Sequence, residues 1–172
     1  MTWRLRRAAP ADAEALSLVA GATFLETYHA LIGMADIVAH VAERCSPATF
    51  MRWIDDPEAA VFYAALEATD APLGFAVVTA PDFPIPLTSH DIELRRIYTL
   101  AIAHGQGVGP ALLDATRKEA RRRGKRRMLL GTHPENKRAQ RFYEREGFNL
   151  VGRRQFRVGD RVFDDPVYAL PL

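Results

Sequence analysis

Cysteine is almost missing from this chain. Cys45 stands alone, so no intramolecular disulfide can form and a multi-cysteine zinc site is excluded. Long apolar runs are missing too: none approaches the roughly 18 residues that indicate a spanning helix. The start, Met1 to Arg7, carries Arg4, Arg6 and Arg7 with no apolar segment behind them, which does not read as a signal peptide. A reducing cytoplasm is the expected location. Charge of one sign is scarce: 23 basic against 21 acidic residues leave a net charge of +2, too little to define a partner. Repeats, low-complexity tracts and long linkers are absent, so one domain spanning residues 1–172 is expected. The mixture of 48% hydrophobic and 26% charged residues excludes a disordered tail, a collagen-like chain and a coiled-coil rod.

What is there is patterned. Asp12 can cap a helix whose inner stripe is Leu16, Val19, Ala20, Thr23 and Phe24. Met34, Ile37, Val38 and Val41 make a second stripe, and Ser46-Pro47 opens a third helix through Phe50, Met51 and Ile54. Val61–Leu66 and Leu73–Val78 read as strands around a hairpin loop. The three prolines of residues 81–86 mark an exposed loop. Ile92–Leu100 reads as a strand with Glu93, Arg95 and Arg96 in its first half. Three charges do not suit a strand buried on both faces, so this half is expected to border a cleft. A helix from about Val108 to Arg123, a strand Arg127–Thr132 and a helix Glu135–Glu146 follow. Arg153–Val158 and Arg161–Leu170 read as a hairpin around Gly159-Asp160. Helices, a hairpin, then β-α-β-α-β-β describe an α/β chain of mixed type, its sheet carrying helices on its faces.

Two motifs carry chemistry. His104-Gly105-Gln106-Gly107-Val108-Gly109 joins a strand to a helix. Glycines there let a ligand approach the backbone, and the free N–H groups of a helix start favour phosphate. The loop ends Gly109-Pro110-Ala111, without the Gly-Lys-Ser/Thr of a P-loop, and its G-x-G-x-G spacing is not a dinucleotide fingerprint. The second motif, Asn136-Lys137-Arg138-Ala139-Gln140-Arg141-Phe142-Tyr143-Glu144-Arg145-Glu146-Gly147-Phe148, begins 27 residues after Gly109.

Together and in this order the motifs resemble the GNAT superfamily of acetyl-CoA-dependent N-acetyltransferases, whose cofactor loop reads Q/R-x-x-G-x-G/A and whose later helix reads N-x-x-A-x-x-F-Y-x-x-x-G-F. Phe24-Leu25-Glu26-Thr27-Tyr28, Arg96-Ile97-Tyr98 and the tail Phe156 to Asp160 with Asp164-Asp165 resemble its PaiA-type polyamine acetyltransferase branch. The resemblance implies a central, mixed but mostly antiparallel sheet with helices on both faces. It implies acetyl-CoA as cosubstrate, no metal, and a small-molecule amine acceptor, polyamine-like by the branch. The backbone of Ile97, Tyr98 and Thr99 would run along the pantetheine arm, with an N–H holding the acetyl carbonyl. Gly105, Gln106, Gly107, Val108, Gly109 and Pro110 would hold the pyrophosphate, and Asn136 would contact the pantetheine or the substrate side. Two departures stand out. His104 replaces the usual Gln or Arg, and Pro110 removes one N–H from the cradle.

Tyr143 matches the family's general acid, which protonates the departing thiolate. An unperturbed phenol near pKa ~10 can give its proton to a thiolate whose conjugate acid lies near ~8.5. For the base, Glu93 leads, against an ion pair with Arg95 or Arg96; His133 and a water chain are alternatives. Glu26, Asp36, Asp82 and Asp91 are acids available to a cationic amine. The run Arg117, Lys118, Arg121, Arg122, Arg123, Lys125, Arg126 and Arg127 has no interleaved aromatics, so it reads as a solvated helix end and not as a nucleic-acid surface. Lys137, Arg138 and Arg141 suit the 3′-phosphate of CoA better. A protein N-terminus or lysine as acceptor, and a non-catalytic acyl-CoA-binding domain, are the competing functions. An exposed strand edge in the tail could pair two chains into a homodimer.

Overall fold

A computed structural model describes residues 1–158 and 161–172. In chain order the elements are β1 (Trp3–Arg7), α1 (Ala13–Tyr28), α2 (Met34–Arg44), α3 (Pro47–Asp55), β2 (Ala60–Leu66), β3 (Pro72–Thr79) and β4 (Asp91–Thr99). Then come α4 (Val108–Arg122), β5 (Arg127–Gly131), α5 (Lys137–Arg145), β6 (Asn149–Val158) and β7 (Arg161–Pro171). They form one seven-stranded sheet in the order β1-β2-β3-β4-β5-β7-β6. Every neighbouring pair is antiparallel except β4 and β5. The expected mixed, mostly antiparallel sheet is therefore what the chain builds. The turn expected around Gly159-Asp160 lies outside the described residues.

Alternation along β2 and β3 explains why helices cover both faces. Phe62, Ala64, Ala76 and Val78 pack with Leu112, Leu113 and Tyr143 of α4 and α5. Val61, Tyr63, Ala65, Phe75 and Val77 pack with Leu16, Val19 and Phe50 of α1 and α3. Side chains of a strand alternate between faces, so a continuous apolar run buries both. Strand β1 was not legible as one, because four of its five residues are Trp or Arg. It forms because Arg6 and Arg7 find acids: Arg6 meets Asp12 at 2.6 Å and Arg7 meets Glu119 at 2.9 Å.

Two irregularities in β4 make the cleft. It pairs with β5 only through Asp91, Ile92 and Glu93, opposite Arg127, Met128 and Leu129. Beyond Glu93 the two strands part, and from Leu94 onward the β5-facing edge of β4 has no strand beside it among the described residues. In addition, the β3–β4 register shifts between Val77 and Val78, opposite Arg96 and Leu94, leaving Arg95 as the extra residue. Such a bulge switches which face each later residue points to. Leu94 and Ile97 both join the α4 side, while Tyr98 joins the α1 side.

The basic run at the end of α4 is not a free cationic stripe. Arg117 pairs with Glu146 at 3.1 Å, Lys118 with Asp114 at 2.7 Å and Arg127 with Asp91 at 2.7 Å. Glu119 is buried and takes Arg7 at 2.9 Å and Arg122 and Arg123 at 2.8 Å. The Arg122 hydrogen bond leads the effects that hold its carboxyl down at about 2, from an ordinary 4.5. Because the folded value is depressed, the stability it contributes is complete above about 4.5 and fades as pH falls towards 2. Glu119→Gln is expected to cost ~1 kcal/mol at neutral pH, and to flatten acid destabilisation across that window. Urea titrations between pH 2 and 7 check this; parallel curves for the two proteins would contradict it.

Candidate active site

The parting of β4 and β5 opens a cleft of ≈ 2230 Å³. It is walled by α1, β4, the glycine loop, the β5–α5 segment and the β6–β7 pair. Gly105 and Gly107 sit at φ +75° and +80°, which residues with a Cβ adopt only under strain. Gly107 is the N-cap of α4. A Cβ placed on Gly105 or Gly109 would meet no protein atom within 4 Å, so packing does not demand glycine at 109; an approaching ligand would. The N–H groups of Gly105, Gly107, Val108 and Gly109 find no backbone acceptor among the described residues, as expected for a helix start. Trp3 Nε1 donates to the Gln106 carbonyl at 3.1 Å and ties this loop to β1. The side chain of Val108 is fully buried in the core, so Val108 can serve a ligand only through its backbone. Pro110 occupies the third helical position and offers no N–H. The loop thus fits a pyrophosphate with one donor fewer than usual.

Ile97, Tyr98 and Thr99 line the cleft from the free edge of β4. The Tyr98 hydroxyl lies 3.4 Å from that of Tyr28. Tyr143 projects from α5 into the same wall; its ring lies 5.5 Å from that of Phe142 and 5.7 Å from that of Phe148. Burial, assisted by Tyr98, pushes its phenol well above the usual range, so it stays protonated throughout neutral pH. Asn136 lines the cleft and also caps α5, its side-chain oxygen accepting the Ala139 N–H at 3.1 Å. That cap starts α5 at Lys137, two residues later than the pattern predicts. Lys137, Arg138 and Arg141 all border the cleft. Lys137 is already engaged, donating to the Pro134 carbonyl at 2.7 Å.

Glu93 is placed differently from the catalytic base that its strand position led one to expect. Its side chain is 2% exposed and is absent from the cleft wall among the described residues. One oxygen pairs with Arg95 at 2.9 Å and accepts the Asp82 N–H at 3.1 Å; the other faces Arg154 at 3.6 Å. Burial raises its pKa, and the two guanidiniums oppose that. The geometry gives Glu93 the ion pair, with Arg95 rather than Arg96, because residues two apart on a strand share a face. Arg96 lies instead over Trp53, 5.0 Å from the ring centroid. Of the other acids, Asp91 is spent on Arg127, and Glu26 accepts the Ala101 N–H at 2.9 Å. Asp36 and Asp82 line the cleft.

His133 is in the wall, 6% exposed. Its Nδ1 accepts the Glu135 N–H at 3.1 Å, which puts the ring proton on Nε2. Burial lowers its pKa, and Arg161 adds to that. Asp165, on β7, also faces the cleft and is 4% exposed. Its position in the sequence carries a signal that reading by motif passed over: an acid directly before Pro166-Val167-Tyr168-Ala169, all apolar or aromatic and all buried. Among the described residues no group of three or more His, Cys, Asp or Glu side chains could hold a metal ion.

Comparisons with known proteins agree with this geometry. The profile of the acetyltransferase (GNAT) family matches residues 24–148. Uncharacterized N-acetyltransferases of Mycobacterium tuberculosis and Mycobacterium bovis are 32% identical over 161 residues, covering 94% of this chain and 98% of theirs. The fold is shared with the PaiA N-acetyltransferase of Thermoplasma acidophilum, solved in complex with coenzyme A (TM-score 0.82, 20% identity, all of both chains). It is also shared with yncA, a putative acetyltransferase of Salmonella typhimurium, solved with acetyl-CoA (TM-score 0.68, 20% identity, 100% of this chain and 95% of that one).

Proposed function

The chain belongs to the GNAT family of acetyl-CoA-dependent N-acetyltransferases, and from that premise we propose that it acetylates a small cationic primary amine, of polyamine type, by direct attack within a ternary complex. The observation that carries the reading is the wedge between β4 and β5, with an N–H cradle at its glycine loop and Tyr143 in its wall. Acetyl-CoA supplies the activated acyl group. The chain's own part is to orient and to manage protons.

In this reading the N–H groups of Gly105, Gly107, Val108 and Gly109 hold the pyrophosphate, and the unpaired edge of β4 at Ile97, Tyr98 and Thr99 holds the pantetheine. Asn136 contributes its amide group beside its capping role. Arg138 and Arg141 serve the 3′-phosphate. A backbone N–H of β4 stabilises the oxyanion as it develops, and Tyr143 protonates the leaving sulfur. The resemblance of Phe24–Tyr28, Arg96–Tyr98 and Asp164-Asp165 to the PaiA-type polyamine acetyltransferase branch favours polyamines, as do the acids Asp36, Asp82 and Asp165 in the wall.

The test is free-thiol release from acetyl-CoA with spermidine, spermine, amino acids, aminoglycosides and short peptides as acceptors, beside calorimetry of CoA binding. Turnover is expected on the polyamines. Turnover confined to peptides would move the acceptor to a protein terminus. CoA binding without turnover on any amine would leave only a binding domain.

A further inference from the structure

Four buried side-chain atoms have no hydrogen-bond partner among the described residues: Arg117 Nε, His133 Nε2, Arg154 Nε and Asp165 Oδ1. Three of these residues, His133, Arg154 and Asp165, line the cleft. Buried polar atoms are almost always satisfied, so each exception needs a reason. Arg154 has other support: its guanidinium lies 4.7 Å from the Phe83 ring centroid and faces Glu93. Asp165 has no such account. The residue is only 4% exposed and borders the cleft, and its buried Oδ1 has no hydrogen-bond partner among the described residues. A buried carboxylate oxygen without a donor is costly unless a ligand completes it.

Its surroundings match one kind of ligand. The charge on Asp165 is felt at the hydroxyls of Tyr28 and Tyr98, and Tyr28 also feels Tyr143. The Tyr28 ring lies 5.7 Å from that of His133. A carboxylate bordered by aromatic rings is a setting that favours an alkylammonium, through an ion pair and through the ring faces. Burial lowers the pKa of His133, which disfavours its cationic form beside the cleft. Glu93 cannot take this part, because both of its oxygens already face guanidiniums or an N–H.

Resting on the acyl-transfer reading above, we propose that Asp165 is the seat of the acceptor amine and its proton acceptor: its carboxylate binds the substrate ammonium and removes one of its protons. The N–H bond breaks, and its electron pair stays on nitrogen as the lone pair that attacks the thioester carbonyl. The proton rests on Asp165 and passes to solvent through the cleft. A second nitrogen proton, lost as the amide forms, balances the one that Tyr143 gives to the thiolate. The net products are amide, thiol and one released proton.

The groups that act on Asp165 or feel its charge are Arg154 from β6, Asp164 beside it on its own strand, Tyr28 from α1 and Tyr98 from β4. Burial raises the carboxyl to about 6; Arg154 opposes this and Asp164 adds to it. The group is therefore ionised and ready to accept at pH 7–8, and amine binding should fade as pH falls through about 6.

The experiment compares wild type with Asp165→Asn. Calorimetry of spermidine and of butylamine binding to the CoA-loaded protein runs beside kcat/KM against pH. In the variant we expect kcat/KM for spermidine to fall by about 10²-fold, with acetyl-CoA affinity kept and the acid limb near pH 6 gone. An unchanged kcat/KM, or a lowered one that keeps that limb, overturns the proposal. Should the variant not fold, wild type alone decides: amine affinity that is flat from pH 5 to 8 overturns it. Wild type that binds neither amine also overturns it, while leaving acyl transfer to another nucleophile standing. Wild type that binds both in this pH-dependent way but releases no thiol overturns the acyl-transfer reading and keeps the ammonium seat.

Discussion

Tyr143→Phe is expected to lower kcat by about 10²–10⁴-fold, the usual weight of a positioned acid, while leaving the KM for acetyl-CoA nearly unchanged. The substitution removes one oxygen and keeps the ring. The ring contacts with Phe142, Phe148 and Tyr168 at 5.5, 5.7 and 6.5 Å survive, so the fold loses little. What disappears is a proton held at high pKa by burial. A thiolate leaving without that proton is a poor leaving group relative to the amine it competes with, so the intermediate returns to reactants. Because the phenol stays protonated far above neutrality, its titration should leave no basic limb in the wild-type profile below pH 9. Steady-state kinetics against both substrates checks this. Two nearby hydroxyls give the control, since Tyr28 and Tyr98 face each other at 3.4 Å. If Tyr143→Phe kept full kcat and Tyr98→Phe lost it, the acid would be Tyr98.

The elements that sequence made legible are those whose cause is local. The glycine loop was readable because left-handed backbone at Gly105 and Gly107 demands glycine. Strands β2 and β3 were readable because their continuous apolar runs follow from helices on both faces. Helix α5 was visible from its Phe-Tyr pair and the Gly147 that closes it, but its start, set by the Asn136 cap, was not. What stayed hidden depends on partners distant in the chain. Strand β1 owes its place to Asp12 and to Glu119, 112 residues from Arg7. The bulge at Arg95 has no local marker, and it decides which faces Ile97 and Tyr98 take. The second cation on Glu93, Arg154, lies on another strand, and its guanidinium rests against Gly131, where a Cβ would sit 2.8 Å away and push it aside. Asp165 was quoted as part of a family likeness, but its role depends on burial, and burial is set by the registry of β7 against β5 and β6.

Gly109→Asp should separate the phosphate cradle from the helix that carries it. Gly109 is the second residue of α4, and a Cβ built there meets nothing within 4 Å. A side chain is therefore accommodated by the free protein. Aspartate at this position faces the positive end of the helix dipole, worth ~0.3–1 kcal/mol, and relieves the entropic penalty of a helical glycine. Thermal stability should hold or rise. Binding should not survive, because the carboxylate would occupy the space and the N–H groups that the pyrophosphate needs, and would repel it as a like charge. A loss of about 10²-fold or more in CoA affinity is expected, equal to ~2.7 kcal/mol. Gly107→Ala should behave in the opposite sense. Its φ of +80° strains any residue with a Cβ, at ~1–2 kcal/mol, so stability falls, whereas methyl bulk alone leaves the remaining donors and no added charge. Calorimetry with CoA, paired with thermal melts of both variants, distinguishes the two effects. If Gly109→Asp bound CoA as tightly as wild type, the pyrophosphate would lie elsewhere, and the open space above Gly109 would have no ligand to explain it.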